Sequence, residues 1–402
     1  MTEQLTIGFL PLVDACLPIL AKEHGFAEEE GVDVSFIRDA SWATVLDRLL
    51  YGHSDAAHLV APLAIATTLG RGRPAQPISV PFLLGLNGNA ITLRPELSAT
   101  VGTRGQMGAP AAVGERLRKE AVLAAKSGRK LRFGVVHRYS SHNYILRYWL
   151  AACGIKPDQD VEIVTVAPPF VVDALGNGAL DGVCVGEPYN SYAVDRGLGD
   201  IVLTTSQIWR RGVEKVLALR EPVMVEKQGA VEALIRAMRK AGAHFIDPAN
   251  WEENAHILAR ADYLDGDPKP IQRALSDRLV LSQGQPPEVF SDFMFQHSEA
   301  ANFPWISQAR WLYSQMLRWD SMEYDPSEAE AATRVFRPDI YRSAIRGTGD
   351  DLPAANAKVE GSVQAPLGVG AEEGSITLKN NVFFDGRAFD PDELETYVQH
   401  DN

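Results

Sequence analysis

Residues 5–24, LTIGFLPLVDACLPILAKEH, place a short apolar strand directly before a helical segment. The same order returns with VDVSF at residues 32–36 and with DAAHLV at residues 55–60. Such alternation is typical of an α/β layer built on a parallel sheet. Asp14 is predicted to cap the first helix and Gly25 to end it. The first ninety residues therefore predict one α/β lobe.

A second α/β unit begins with LRFGVV at residues 131–136. A helix is predicted over residues 141–152, where Ile145, Tyr148, Trp149 and Ala152 form one apolar stripe. Strands follow at residues 161–166 and 181–185, and KVLAL at residues 215–219 returns the chain to the first unit. This order predicts lobe I over residues 1–95 and 213–345, lobe II over residues 96–212, and a ligand cleft between them. Residues 346–402 are expected to form an extended tail with a short terminal docking segment.

The composition indicates a globular protein and excludes several classes of function. The 402 residues are 46% hydrophobic and 23% charged, with a formal net charge of -13, which argues against direct binding of nucleic acid. The first residues show no secretory leader and no apolar run long enough to span a membrane, so a cytoplasmic protein is expected. The three cysteines are interpreted as buried thiols.

The common catalytic motifs are missing, which argues against an enzyme. The sequence contains no GxSxG, HExxH, phosphate-binding P-loop or GxGxxG motif. Asp181, Glu187 and Asp195 are too scattered to propose a carboxylate pair for acid–base work. No catalytic residue, metal ligand or cofactor is therefore predicted.

Candidate binding residues stand where strands meet helices, because helix N-termini favour anions. Trp42 follows the predicted cap Ser41, and its indole either donates into a cleft or covers the sheet. His142, next to Ser141, begins a helix in a polar cluster that faces either a ligand or solvent. Lys215 opens an apolar strand and points either into the cleft or out to solvent. The stretch from Asn87 to Asn89 is either a simple turn or part of the site.

Several segments together resemble the nitrate-binding family of solute-binding proteins. They are DASWAT (39–44), DAAHLVAP (55–62), LNGNAI (86–91), RYWLA (147–151) and DGVCVGEPYN (181–190). The resemblance implies a bilobal, periplasmic-binding-protein-like α/β fold of type II. It also implies that Trp42, Asn89, His142 and Lys215 hold nitrate, and we add Ser141 and Gly88 to the predicted ligand-binding set. Many family members carry Gln where this chain has Asn89.

The resemblance also suggests which ligand and which role to expect. Related bicarbonate binders place a carboxylate with calcium where this chain has Lys215, and a cation there suits nitrate or nitrite better. The apparent lack of a leader points to a cytoplasmic nitrate/nitrite sensor, which releases an RNA-binding antitermination regulator of nitrate assimilation when the anion binds. The alternative is the substrate-binding subunit of a nitrate or bicarbonate ABC transporter. Lys215→Ala is expected to weaken anion binding more than folding.

Overall fold

The computed structural model describes residues 3–401, in which helices surround two mixed β-sheets. The strands are β1 (Glu3–Phe9), β2 (Val32–Arg38), β3 (Ala56–Val60), β4 (Ile78–Asn87), β5 (Asn89–Leu93), β6 (Leu131–Val135), β7 (Val161–Thr165), β8 (Gly182–Gly186), β9 (Asp200–Thr204), β10 (Val213–Arg220), β11 (Arg278–Leu279), β12 (Glu288–Val289), β13 (Met294–Phe295), β14 (Leu367–Gly370) and β15 (Ser375–Leu378).

The helices vary from single turns to the 18 residues of the longest. They are α1 (Cys16–Glu23), α2 (Phe26–Glu29), α3 (Trp42–Leu50), α4 (Ala61–Thr68), α5 (Pro95–Thr100), α6 (Pro110–Lys126), α7 (Ser141–Ala152), α8 (Val171–Gly176), α9 (Tyr189–Asp195), α10 (Thr205–Ile208), α11 (Glu221–Glu226), α12 (Gln228–Phe245), α13 (Trp251–Leu258), α14 (Pro268–Leu275), α15 (Ile306–Asp320), α16 (Pro326–Arg334), α17 (Pro338–Ile345) and α18 (Leu394–Asp401). Across residues 3–401, none is both long and apolar enough to cross a membrane.

The first lobe is built on a six-stranded sheet in the order β13-β4-β10-β3-β1-β2. Strands β1, β2 and β3 run parallel, as expected from the alternation of strands and helices. The complete sheet is mixed, because β10 pairs antiparallel with both β3 and β4. β10 returns from the second lobe in the opposite direction, and this brings Lys215 into the centre of the sheet.

The second lobe is built on a five-stranded sheet in the order β7-β6-β8-β5-β9. The chain enters it at Gly88, which lies between β4 and β5 with a φ of 86°. Only a residue without a side chain adopts this conformation at low cost, and a Cβ there would also stand 3.3 Å from Met294. The two-lobed α/β fold is confirmed. The predicted limits of the lobes stay predictions, although β5 at residues 89–93 belongs to the second sheet.

Two helices that begin at the cleft, α3 and α7, are each capped by a serine at the N-terminus. Ser41 Oγ accepts from the Thr44 amide at 3.2 Å, and Ser140 Oγ accepts from the Asn143 amide at 3.1 Å. Each bond satisfies one of the amides that the first turn of a helix leaves without a partner. The cap predicted at Asp14 is wrong. Asp14 lies in a short 3-10 turn before α1, where its buried side chain points to Lys215 and His58.

The C-terminal tail is packed against the body of the protein. Within it, β14 and β15 form a hairpin. Phe383 stacks on Trp209 and Trp311, with ring centroids 4.9 and 5.7 Å apart, and Trp209 Nε1 donates to Asn381 Oδ1 at 3.0 Å. The sequence predicts an extended tail over residues 346–402 with a short terminal docking segment. Aromatic burial around Phe383 helps to hold this tail against the body of the protein.

Candidate functional site

The site lies between the two lobes and is built from the ends of secondary-structure elements. The first lobe contributes Trp42, at the start of α3, and Lys215, in β10. The second lobe contributes Asn89, which begins β5, and Ser141 and His142, which begin α7. All five side chains are at most 1% exposed. The structure therefore favours the cleft-facing alternative for His142 and Lys215 over the solvent-facing one.

Lys215 is the central charge of the site, and two carboxylates hold it. Its Nζ lies 2.7 Å from Asp14 Oδ2 and donates to Glu214 Oε1 at 2.6 Å. Burial lowers the pKa of Lys215, but the two carboxylates more than compensate, so this pKa lies above its ordinary value. Burial likewise raises the pKa of Asp14, yet Lys215 and His58 bring it well below its usual range. The ammonium is therefore charged and fixed in place.

Two histidines and a tryptophan complete this cluster. His58 Nε2 lies 2.9 Å from Asp14 Oδ1, and its ring meets Trp42 edge-on with centroids 5.2 Å apart. The Lys215 ammonium lies 5.4 Å from the centre of the Trp42 ring. His142 Nδ1 reaches across from the second lobe to within 3.3 Å of Glu214 Oε1. The cluster thus links the two lobes directly.

Both histidines are neutral at pH 7. Burial lowers the pKa of His142 to about 4, since the opposing effect of Glu214 is smaller. Burial also lowers the pKa of His58, and Asp14 only partly offsets it. One ammonium thus faces two carboxylates while both imidazoles carry no charge.

Several buried polar atoms at the site find no hydrogen-bond partner among residues 3–401. They are Trp42 Nε1, both side-chain polar atoms of Asn89, Ser141 Oγ and His142 Nε2. A buried donor without a partner costs about 1–3 kcal/mol, so a set of them at one place is uncommon in a structural core. Three neutral donors, Trp42 Nε1, Asn89 Nδ2 and Ser141 Oγ, at the same site as a fixed ammonium are suited to donate to the oxygen atoms of a small anion. The role of these residues as ligand contacts stays a prediction.

Asn89 and Gly88 differ in what they offer a ligand. A Cβ added to Gly186 would lie 3.2 Å from Asn89 Oδ1 and 3.4 Å from Asp14 Oδ2, so the glycine leaves room for both side chains. Asn89 therefore faces the Lys215 cluster. The Gly88 amide donates to the Phe293 carbonyl at 2.7 Å. Its contribution is the turn that starts β5 at the cleft, and direct contact with a ligand stays a prediction.

Sequence reasoning missed Asp14, Glu214 and His58. The sequence predicts Asp14 as a helix cap, and neither Glu214 nor His58 is among the predicted site residues. A signal for the carboxylates does exist, because a lysine buried in a central strand requires a nearby negative charge. Glu214 immediately precedes Lys215 and was the nearest available partner.

The acidic and imidazole groups do not form a metal centre. Across residues 3–401, no group of three or more His, Cys, Asp and Glu side chains is arranged to hold a metal ion. At Asp14 and Glu214, the position between the two carboxylates is taken by the Lys215 ammonium.

Glu187 is a buried carboxyl beside the site, and Glu187→Gln is expected to stabilise the protein at alkaline pH. Burial raises the pKa of Glu187 to about 7, while the Ser191 amide, which donates to Oε2 at 3.2 Å, lowers it only in part. In the unfolded chain the Glu187 carboxyl ionises near its ordinary pKa of about 4.5. The folded protein therefore loses stability relative to the unfolded chain as the pH rises from about 4.5 to 7. Because a Gln side chain does not ionise, Glu187→Gln should raise the free energy of unfolding by about 1–3 kcal/mol at pH 8.

The measurement is urea unfolding at pH 5 and pH 8. Glu162→Gln, which removes a half-exposed carboxyl paired with Arg132, should change stability by less than about 1 kcal/mol at both pH values. An unchanged stability of Glu187→Gln at pH 8 would show that Glu187 ionises normally in the folded protein.

Comparisons with known proteins agree with this architecture. Residues 1–259 match a profile described as the NMT1-like family. Over 404 residues the chain is 30% identical to the nitrate/nitrite binding protein NrtA of Synechococcus elongatus, a match that covers 98% of this chain and 85% of the relative. The crystal structure of the periplasmic nitrate-binding protein NrtA from Synechocystis PCC 6803 superimposes with a TM-score of 0.84 at 25% identity, covering 100% of this chain and 99% of that one.

A second kind of relative is longer. The bicarbonate transport ATP-binding protein CmpC of Synechocystis is 33% identical over 351 residues, which cover 87% of this chain and 50% of CmpC. The chain spans about half the length of the ATP-binding relatives that it matches.

Proposed function

Because this chain belongs to the NMT1-like family, and within it to the nitrate-binding solute-binding proteins, we propose that it binds nitrate or nitrite between its two lobes. The observation that carries the proposal is the set of unpartnered donors around Lys215. Trp42 Nε1, Asn89 Nδ2 and Ser141 Oγ donate to the anion oxygens beside the Lys215 ammonium. His142 Nε2 becomes a further donor once the imidazole takes up a proton, because Nδ1 already faces Glu214. The anion makes up for the cost of burying these donors.

The same cluster favours an anion with a single charge. Asp14 and Glu214 together carry one more charge than Lys215, so every negative charge on the ligand adds to a buried excess, and a dianion adds twice as much as a monoanion. Sulfate should therefore bind poorly. Bicarbonate with calcium should also bind poorly, because the Lys215 ammonium occupies the position between the carboxylates.

The test is a titration of the purified chain with nitrate, nitrite, sulfate, and bicarbonate plus calcium, followed by thermal unfolding and calorimetry. At about 100 times its Kd a ligand adds ~2.7 kcal/mol to the native state, which raises Tm by several degrees. We expect nitrate or nitrite to do so and sulfate not to. A response to bicarbonate plus calcium, with none to nitrate and nitrite, would retain the fold and overturn this ligand.

We further propose that the protein is a cytoplasmic sensor without enzymatic activity, which releases an RNA-binding antitermination regulator when the anion binds. Support comes from contacts that cross between the lobes: His142 with Glu214, and the Val13 amide, which donates to the Glu187 carbonyl at 2.9 Å. An anion that favours the closed arrangement shifts the population towards it and so changes the surface offered to a partner.

The second candidate is the substrate-binding subunit of a nitrate or bicarbonate ABC transporter, and the similarity to CmpC favours it. Size-exclusion chromatography with a purified antitermination regulator separates the two roles. A sensor forms a complex with the regulator that dissociates when nitrate or nitrite is added, whereas a transporter subunit forms no such complex and binds the membrane permease.

A further inference from the structure

A groove on the second lobe has no role in the anion site. It has a volume of about 630 Å³ and runs between α6, the turn before β6 and the segment that joins α7 to β7. Its apolar lining is formed by Ala121, Val122, Ala125 and Ile155. Its charged lining is formed by Arg118, Lys126, Arg129, Lys130 and Asp160.

The groove is basic in a chain that is acidic as a whole. Residues 104–132 contain eight Arg and Lys but only two acidic residues, against a net charge of -13 for the full sequence. Arg129 pairs with Asp181 at 2.9 Å, and Lys130 donates to the Asp158 carbonyl at 2.9 Å. Arg118 and Lys126 have no ion-pair partner in the described part of the chain. Their charges are available to an acidic molecule.

The floor of the groove is apolar and partly exposed. On α6, Arg118, Ala121, Val122 and Ala125 follow a spacing of three, four and seven residues, which places them on one face of the helix. Val122 is 51% exposed, and Leu123 beside it is 53% exposed. Long apolar side chains exposed next to a groove are typical of a surface that meets another protein.

We propose that this groove docks an acidic amphipathic helix of a partner protein. The apolar floor receives the apolar stripe of that helix, while Arg118 and Lys126 pair with carboxylates on its flanks. A nucleic acid fits less well, because no aromatic side chain lines the groove to stack on bases. The inference rests on the proposed sensor function, since it describes the chemistry of the partner.

All of the lining residues belong to one lobe. Closure of the cleft therefore leaves the groove unchanged, so the affinity of the groove itself for the partner helix does not depend on the anion. Release by nitrate must then depend on a second contact, made outside this groove.

The probe is a fluorescent 18-residue helical peptide with leucines at positions i, i+4, i+7 and i+11 and glutamates on both flanks, titrated by anisotropy. We expect saturable binding that weakens as the salt concentration rises. Lys126→Glu and Val122→Asp should each lower the affinity for the peptide by at least about tenfold. Lys119→Glu is the matched control, because Lys119 lies on α6 but does not line the groove. It should change the affinity by less than about twofold.

Nitrate is titrated into each variant separately, so that failure of the groove and failure of the anion site are distinguished. Peptide binding should be the same with and without saturating nitrate. A second peptide of the same composition, with its residues in scrambled order, serves as a further control. The proposal is overturned if this scrambled peptide binds equally well, or if Lys126→Glu and Val122→Asp bind the peptide as tightly as the unchanged chain does. It is also overturned if a single-stranded RNA oligonucleotide binds the groove more tightly than the peptide.

Discussion

Lys215→Met should abolish nitrate binding and also destabilise the fold. Removal of the ammonium leaves Asp14 and Glu214 buried and negatively charged within a few ångströms of each other. Breaking a buried ion pair in this way costs about 3–5 kcal/mol of folding free energy. Loss of a buried charged partner of the anion should weaken binding by at least about 30-fold. Urea unfolding and calorimetric titration measure the two effects on the same sample.

Two further variants separate the effects on stability and binding. The triple variant Asp14→Asn, Glu214→Gln, Lys215→Met removes all three charges, so it should regain most of the lost stability while still failing to bind nitrate. Lys227→Met is the surface control, because Lys227 pairs with Asp55 at 2.8 Å but remains 36% exposed. It should cost less than about 1 kcal/mol and leave nitrate binding unchanged. Full nitrate affinity in Lys215→Met would remove Lys215 from the site.

This expectation differs from that reached from the sequence, in which loss of Lys215 was expected to weaken anion binding more than folding. Alternation along a strand places neighbouring side chains on opposite faces, so the pattern did not predict that Glu214 and Lys215 would meet. In the structure, the register between β10 and β4 is irregular on both sides of Lys215. A local irregularity of this kind lets adjacent residues share a side, and it has no signal in the sequence pattern.

Elements with a strong periodic pattern were predictable. The helix expected over residues 141–152 is α7, and the strand expected at residues 215–219 lies within β10. Both carry an apolar pattern, so the sequence placed His142 at the start of a helix and Lys215 at the start of a strand, whereas it left open whether each side chain faces the cleft or solvent.

Features that depend on contacts between distant segments were not predictable. Strands β5 and β9 were missed. β5 follows β4 after Gly88 alone and joins a sheet whose other strands come later in the chain, and β9 pairs with β5 across more than a hundred residues. The role of Asp14 depends on Lys215, two hundred residues later in the chain. A short polar side chain before a helix has the same local signal whether it caps the helix or pairs with a distant lysine.

Nitrate affinity should rise as the pH falls from 8 to 6. The charged and titratable groups around His142 are Asp14, Glu214, Lys215 and His58. While both histidines are neutral, the two carboxylates outnumber the single ammonium. A nitrate ion adds another buried negative charge. A proton on His142 compensates for it and also supplies a charged donor. The anion therefore raises the pKa of His142 above its value of about 4 in the free protein.

The sign follows from linkage. Because the pKa of His142 is higher in the complex than in the free protein, binding takes up a proton, and the gain in affinity is present below the pKa of the complex and lost as the pH rises through it. The affinity then changes by up to about tenfold per pH unit. Calorimetry at pH 6, 7 and 8, each in two buffers with different ionisation enthalpies, measures the affinity and the number of protons taken up.

His142→Gln keeps a neutral donor at this position, so it should bind nitrate more weakly at pH 6 and show no proton uptake. His58→Gln should retain most of the pH dependence, since Asp14 and Trp42 separate His58 from the unpartnered donors of the second lobe. A constant affinity from pH 8 to pH 6 without proton uptake would mean that nitrate binds beside a neutral His142. Trp42, Asn89, Ser141 and Lys215 would then have to compensate for the anion charge without it.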